Sequence, residues 1–191
     1  MENAIFEEKK VSKAYMKLSL PLVLSMTVSL IYNLADTFFV AQTQNTNIVA
    51  GVSLCAPLFT TLMALGNIFG QGGSSLISRL LGKNDTTATR RVSAFCFWGA
   101  ILIGVLMGFI MLLFRTPLLY VIGANEETFN FARDYYTWLA IGAPALVLSF
   151  IHSNLLRSEG MSKESMIGTM GGAIVNILLD PIFISVLGLN A

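Results

Sequence analysis

Charged residues and cysteines are scarce in this chain. Asp, Glu, Lys and Arg make up 12% of its 191 residues, whereas hydrophobic residues make up 54%. An ordinary soluble domain carries about 25% charged residues, so this composition argues against a water-soluble fold. The two cysteines, Cys55 and Cys96, both lie in apolar stretches, which predicts small core residues rather than a disulfide framework or a metal site. The net charge of +1 gives no reason to expect a nucleic-acid partner.

The apolar residues are gathered into long stretches free of charge, a pattern typical of helices that face lipid. Because a spanning helix needs about 20 apolar residues, the sequence predicts an all-α integral membrane protein. The five predicted transmembrane helices cover approximately residues 17–41, 48–80, 92–114, 132–157 and 165–189. The second is longer than the hydrocarbon layer is thick, so we expect it to tilt or to project beyond the membrane from Gly70 to Gly82.

Basic residues are divided unevenly between the two sides of these predicted helices. Ten of the twelve Lys and Arg residues flank the helices on one side, and only Arg115 and Arg133 lie on the other. The positive-inside rule therefore places the amino terminus in the cytoplasm. We expect residues 1–16 to form a cytoplasmic amino-terminal segment that is retained, because it lacks the pattern of a signal peptide. Residues 17–191 form the membrane part.

The sequence shows no internal repeat. Secondary transporters are commonly built from two structural repeats, yet no segment of these 191 residues has a second copy. We therefore expect the chain to be a fragment of a longer protein.

Two acidic residues fall inside predicted spans. They are Asp36 and Asp180, whereas the other nine of the eleven acids lie in tails or loops. An ionisable group at membrane depth costs about 2.5–3.5 kcal/mol on insertion scales, so such residues usually face a polar interior and carry function. Asn33 and Asn176 precede the acids by three and four residues, so each amide shares a helix face with its acid. Both acids lie at similar height in the outer half of the membrane.

This acid and amide pattern predicts an oxygen-rich site for a proton or a hard monovalent cation. The alternative is structural. Asp36 would then reach the outer interface by snorkelling, and Asp180 would cap a turn loosened by Pro181.

Further residues in the predicted spans are candidates for lining a cavity or for gating. Pro21 could bend the first helix and couple protonation to gating, although a proline near a helix start is also an ordinary feature. Asn67 and Gln71 lie in a glycine-rich stretch that equally suits close helix packing. The auxiliary candidates are Pro21, Tyr32, Asn33, Asn67, Gln71 and Asn154.

Aromatic residues and the single histidine have plainer interpretations. Tyr135, Tyr136 and Trp138 begin the fourth predicted helix at the outer surface, where an interfacial aromatic belt explains them. His152 lacks a partner at metal-ligand spacing in the sequence, which favours an interfacial hydrogen bond.

Several segments of the chain carry a family resemblance. They are LSLPLVLS and YNLADTFFV in the first helix, NLLRSEG at the end of the fourth, and GGAIVNILLDPIFI in the fifth. Together they resemble the multidrug and toxic compound extrusion (MATE) family, in its DinF-like bacterial branch. The resemblance covers essentially the whole chain, as the first five of that family's twelve helices. It implies that residues 17–191 form most of one six-helix lobe, the amino-terminal one.

The resemblance also implies a function. It implies a cation-coupled antiporter, driven by H+ or Na+, that exports amphipathic organic or cationic drugs across the cytoplasmic membrane. It implies no enzyme activity and no cofactor. Its ion site would be formed by Asp36, Asn176 and Asp180, which are also the possible Na+ ligands. The implied partners are membrane lipid, small amphipathic substrates, and a second lobe that this chain lacks and that is supplied in cis or in trans.

Other functions remain as alternatives. A flippase for lipid-linked precursors belongs to the same superfamily, but the central parts of the spans contain no Lys or Arg to hold phosphates. A structural half that is inactive without a partner half is another alternative. An intramembrane aspartyl protease is disfavoured, because Asp180 stands in LLDP rather than in the Gly-x-Gly-Asp motif of those enzymes.

Overall fold

The structure is a computed structural model that describes residues 11–42 and 45–181. These residues form α-helices and, within the described ranges, no strand. The helices are α1 (Val11–Gln42), α2 (Thr46–Leu54), α3 (Ala56–Gly82), α4 (Thr86–Leu113), α5 (Arg115–Val121), α6 (Phe129–Ser158) and α7 (Ser162–Pro181). The expected all-α architecture is therefore confirmed for this part of the chain.

The described helices include segments that are long and apolar enough to cross a membrane. They are Tyr15–Phe39, Thr46–Gly82, Thr86–Leu113 and Phe129–Ser158, and they correspond to the first four predicted spans. The fifth predicted span, 165–189, extends beyond the described residues, and its described part is α7. The five-helix count, the cytoplasmic amino terminus and the division at residue 17 therefore stay predictions. The helix that contains the first span already begins at Val11.

The second predicted helix is interrupted. Instead of running unbroken over 48–80, it divides at Cys55 into α2 and α3. The cause is Pro57 in the first turn of α3, which has no backbone N–H and whose ring clashes with the carbonyl four residues earlier. The 27 residues of α3 still span about 40 Å at 1.5 Å per residue.

The short helix α5 replaces part of a predicted loop. The predicted spans leave an extramembrane connection over residues 115–133, but Arg115–Val121 is helical. Pro117 lies in its first turn, where a missing N–H costs little. The fully buried Leu119 anchors the helix, and Gly123 turns the chain away with a φ of 100°.

Helix α6 is the centre of the core and packs against both α3 and α4. Its buried side chains recur at three- and four-residue spacing, which places them on one face. They include Tyr136, Ala140, Ala143, Val147 and Ile151. Both Cys55 and Cys96 are buried in this core as free thiols, which confirms their interpretation as core residues.

Helices α1 and α7 form a second unit beside this core. Helix α1 packs mainly against α7, which also contacts α6. Many large apolar side chains of α1 stay exposed, Leu30 at 64% and Leu34 at 71% among them. The α1–α7 interface therefore brings together the two helices that carry the acidic residues of the predicted ion site.

Candidate functional site

A hydrogen bond joins α1 to α7 beside the predicted ion site. The amide nitrogen Nδ2 of Asn176 donates to the phenolic oxygen of Tyr32 at 3.0 Å. Tyr32 precedes Asp36 by four residues, and Asn176 precedes Asp180 by four. Because one helical turn rises about 5.4 Å, the bond lies about one turn from each acidic residue. The structure thus brings the predicted ligand Asn176 together with the auxiliary candidate Tyr32.

Asp36 is half-buried and has a neighbour on a third helix. Its carboxylate lies close enough to the phenol of Tyr135, on α6, for the two groups to interact electrostatically. The sequence alone predicts an interfacial belt for Tyr135 and does not reveal this electrostatic interaction with Asp36. Helical spacing is the signal that could have found it, because Tyr135 lies three residues after Ala132 and four before Leu139, which are both buried.

Asp180 lies within helix α7, but its side chain and that of Pro181 are outside what the structure describes. Its participation in the site stays a prediction.

Pro21 and Asn33 are also on α1. Pro21 is buried, and the helix continues through it from Val11 to Gln42. The hydroxyl of Ser25 donates to the Pro21 carbonyl at 2.8 Å. Asn33 is exposed, and its carbonyl accepts a bond from the hydroxyl of Thr37 at 2.8 Å.

The remaining auxiliary candidates lie on α3 and α6. Asn154 Nδ2 donates to Asn67 Oδ1 at 3.3 Å and to the Phe150 carbonyl at 2.8 Å. This amide pair links α3 to α6, an interface distinct from that of α1 and α7. Gln71, one turn beyond Asn67, is exposed.

The interfacial interpretation of the aromatic residues is only partly right. It is wrong for Tyr136, which is fully buried and whose hydroxyl donates to the Met111 carbonyl at 2.7 Å. This bond supplies the partner that a buried hydroxyl needs. Trp138 is 74% exposed, as a belt residue should be, and His152 is exposed with its ring against Phe97.

The chemistry of the site suits a proton or a monovalent cation held by oxygen atoms. In the part of the chain that the structure describes, no cluster of three or more His, Cys, Asp or Glu residues could hold a metal ion. The α1–α7 site offers different ligands, namely a carboxylate, a phenol and an amide. Hard cations prefer such oxygen ligands.

Comparison with known proteins identifies the family. The family model named MatE matches residues 21–182. The chain belongs to the MatE family. It is 36% identical to the multidrug export protein MepA of Staphylococcus saprophyticus over 186 residues, which are 97% of this chain and 41% of MepA. It is 35% identical to MepA of Staphylococcus haemolyticus over 179 residues, 94% of this chain and 40% of that protein.

Solved structures agree with this assignment to the MatE family. One of them shows the outward-facing conformation of a multidrug resistance MATE family transporter. It matches with a TM-score of 0.87 and 32% identity, over 92% of this chain and 39% of that one. The family resemblance seen in the sequence is therefore confirmed.

Membership of the MatE family sets the class and location of the protein. The family comprises transporters and not enzymes, and the chain is a multi-pass protein of the bacterial-type cytoplasmic membrane. It spans about two fifths of the length of the curated relatives it matches, 40% and 41% in the two MepA proteins.

Proposed function

We propose that this chain is the ion-coupling part of a cation-driven antiporter that exports amphipathic organic compounds, many of them cationic. Family membership and the names of the MepA relatives support export as the activity. The observation that carries the ion-coupling role is the hydrogen bond from Asn176 to Tyr32, which joins α1 to α7 one turn from Asp36 and Asp180.

In this proposal Asp36, Asn176 and Asp180 hold the coupling ion, which is H+ or Na+. The bond to Tyr32 fixes the orientation of the Asn176 amide, because an amide whose nitrogen is engaged turns its carbonyl oxygen elsewhere. That oxygen and the Asp36 carboxylate then supply ligands from two helices. Tyr135 adds a polar group on α6 within electrostatic reach of Asp36.

Ion binding acts on the packing of α1 against α7. A carboxylate in a low-dielectric site is costly unless it is neutralised by a proton or a cation. An ion that enters removes this cost and draws the ligands of α1 and α7 together, whereas its departure restores the charge. Because α1 packs mainly against α7, the change moves α1 relative to the core, and Pro21 supplies a point where the backbone bonding of α1 is already weakened.

The test measures drug accumulation in cells that express the chain either alone or extended by a second lobe from a MepA relative. Each form carries Asp36→Asn, Asp180→Asn or the matched control Glu126→Gln, which neutralises an exposed loop acid. We expect the extended form and its control to lower accumulation of a fluorescent cationic dye, and both aspartate variants to abolish this export.

Membrane insertion is measured for every variant, so that loss of export is not confused with loss of protein. Export that persists in inserted Asp36→Asn or Asp180→Asn contradicts the ion-coupling role. Export by the chain alone contradicts the need for a second lobe.

A further inference from the structure

A cavity of about 350 Å³ lies between α4 and α6, away from the α1–α7 site. Its volume is at the lower end of the range of about 300–1,000 Å³ for small-molecule pockets. Its lining includes the side chains of Arg90, Phe97, Trp98, His152 and Glu159. We call this cavity the α4–α6 groove.

The groove opens at the end of the helix bundle where basic residues gather. The hydroxyl of Ser78 donates to the Ser158 carbonyl at 3.5 Å, so the end of α3 and the end of α6 are at the same level. Around this end lie Arg79, Lys83, Arg90, Arg91, Arg157 and Lys163. The mouth of the groove therefore belongs at a membrane surface.

Polarity changes along the groove as it does across a membrane interface. Arg90 lies in the second turn of α4, and Glu159 is the residue that caps α6. Trp98 lies eight residues beyond Arg90, about 12 Å deeper at 1.5 Å per residue. Tryptophan is enriched at the depth where headgroups meet acyl chains. Phe97 forms the wall between Trp98 and His152, with ring centroids 5.6 and 6.5 Å away.

An apolar surface continues from the groove along α4. Phe95, Trp98 and Leu102 are 69%, 67% and 69% exposed, and Leu106 and Phe109 follow further along the helix with more than half of their surface exposed. A ligand with a charged head and a long apolar tail matches both parts of this surface.

The charges of the groove select among such ligands. Arg90 and Glu159 carry opposite charges, which complement a headgroup that has both a phosphate and an ammonium. Arginine binds phosphate through charge-assisted hydrogen bonds, and a carboxylate accepts them from a primary ammonium. A purely anionic headgroup leaves Glu159 without an ammonium partner, and the quaternary ammonium of phosphatidylcholine has no N–H to donate.

We propose that the α4–α6 groove binds a zwitterionic phospholipid with a primary ammonium, such as phosphatidylethanolamine. Arg90 holds its phosphate, Glu159 holds its ammonium, and Trp98 packs against its acyl chain. Basic pockets between transmembrane helices are known to hold lipid headgroups. This inference is independent of the proposed ion-coupling function.

The experiment uses the two tryptophans of the chain as reporters. The variant Trp138→Phe leaves Trp98 as the fluorophore, and Trp98→Phe leaves Trp138, about 20 Å further along α6 from His152. Each is placed in phosphatidylcholine nanodiscs that contain a rising fraction of lipid with brominated acyl chains, which quench tryptophan on contact. The brominated lipid is phosphatidylethanolamine, phosphatidylglycerol or phosphatidylcholine.

We expect Trp98 to be half-quenched at an approximately tenfold lower fraction of phosphatidylethanolamine than of the other two lipids, because only its ammonium donates a charge-assisted hydrogen bond to Glu159. Trp138 reports bulk lipid and should not distinguish the headgroups. Glu159→Gln should remove this preference of Trp98. Arg90→Gln loses a contact with the phosphate that all three lipids carry, so it should raise the fraction needed for half-quenching with each of them. The two control variants change exposed residues nearby that do not line the groove, and they should retain the preference for phosphatidylethanolamine. They are Arg91→Gln and Glu164→Gln.

The other outcomes overturn the proposal in distinguishable ways. Equal or stronger quenching by phosphatidylglycerol shows that Glu159 does not select an ammonium. Displacement of the lipid by soluble phosphoethanolamine at similar concentration shows a site for a free phosphate ester. A Trp98 that no brominated lipid quenches shows that this face does not meet lipid at all.

Discussion

Replacement of Gly104 by alanine is expected to push α4 away from α6. A Cβ atom at this position would lie 2.5 Å from the Cα of Pro144 and 3.3 Å from the carbonyl oxygen of Ala143, whereas ordinary contacts are 3.4–4 Å. The obstacle is backbone, which cannot rotate aside as a side chain can. The two helices must therefore separate locally by about 1 Å, in an interior that is packed as densely as an organic crystal.

The cost can be worked from general magnitudes. Overpacking of a core costs about 1–3 kcal/mol, and the higher helix propensity of alanine returns about 1 kcal/mol. The net loss is therefore about 0–2 kcal/mol relative to the unaltered chain. Relative to a glycine-to-alanine variant that meets no obstacle, the loss is about 1–3 kcal/mol, which lowers the melting temperature by about 2–12 °C in a chain of this size. The assay is thermal unfolding in detergent, followed by tryptophan fluorescence.

The matched control is Gly142→Ala on α6. A Cβ there would meet nothing within 4 Å, so this variant should melt at the same temperature as the unaltered chain or slightly higher. A Gly104→Ala variant that melts together with Gly142→Ala would refute the close approach of α4 to α6.

Two further predictions concern the buried core. Tyr136→Phe removes the hydroxyl that donates to the Met111 carbonyl at 2.7 Å, so it should destabilise the chain by about 1–2 kcal/mol. The control Tyr120→Phe changes an exposed position and should not destabilise it. Equal melting temperatures of the two variants would contradict the buried bond. Cys55 and Cys96 are buried, so a maleimide added to the folded chain should label both far more slowly than it labels the unfolded chain. Rapid labelling of the folded chain would show that the core is open.

Long features of the fold could be predicted from the sequence. Four of the predicted charge-free runs are observed as segments long enough to cross a membrane. Lipid offers no hydrogen bonds to the backbone, so a spanning segment must pair its own backbone polar groups, as a helix does. Local breaks were harder to see. The division of α2 from α3 at Cys55 depends on Pro57, which a hydrophobic run does not reveal unless each proline is weighed by its position.

The site was predictable in part. The cost of an acid at membrane depth singled out Asp36, and helical spacing led to Asn176. The lateral contacts were not accessible, because depth along a helix does not fix which helix lies beside it. The bond from Asn176 to Tyr32 and the approach of Tyr135 to Asp36 emerge only when α1, α6 and α7 are packed together.

The misassignment of Tyr136 has a related cause. An aromatic side chain at the start of a span suits an interfacial belt and a helix core equally well by composition. The two are separated only by the spacing of Tyr136 to Leu139, Ala140 and Ala143, which lie three, four and seven residues further along the helix. That face is buried against α3 and α4.

The most direct test of the ion-coupling proposal is ion binding by the purified chain. All the proposed ligands lie within it, so binding does not require a second lobe. Radioactive sodium binding and proton uptake are measured for the unaltered chain, for Asp36→Asn, for Asp180→Asn and for the control Glu126→Gln. We predict that the unaltered chain and the control bind a single Na+ or take up a single proton, and that both aspartate variants lose this binding. Equal binding by all four proteins would contradict the account.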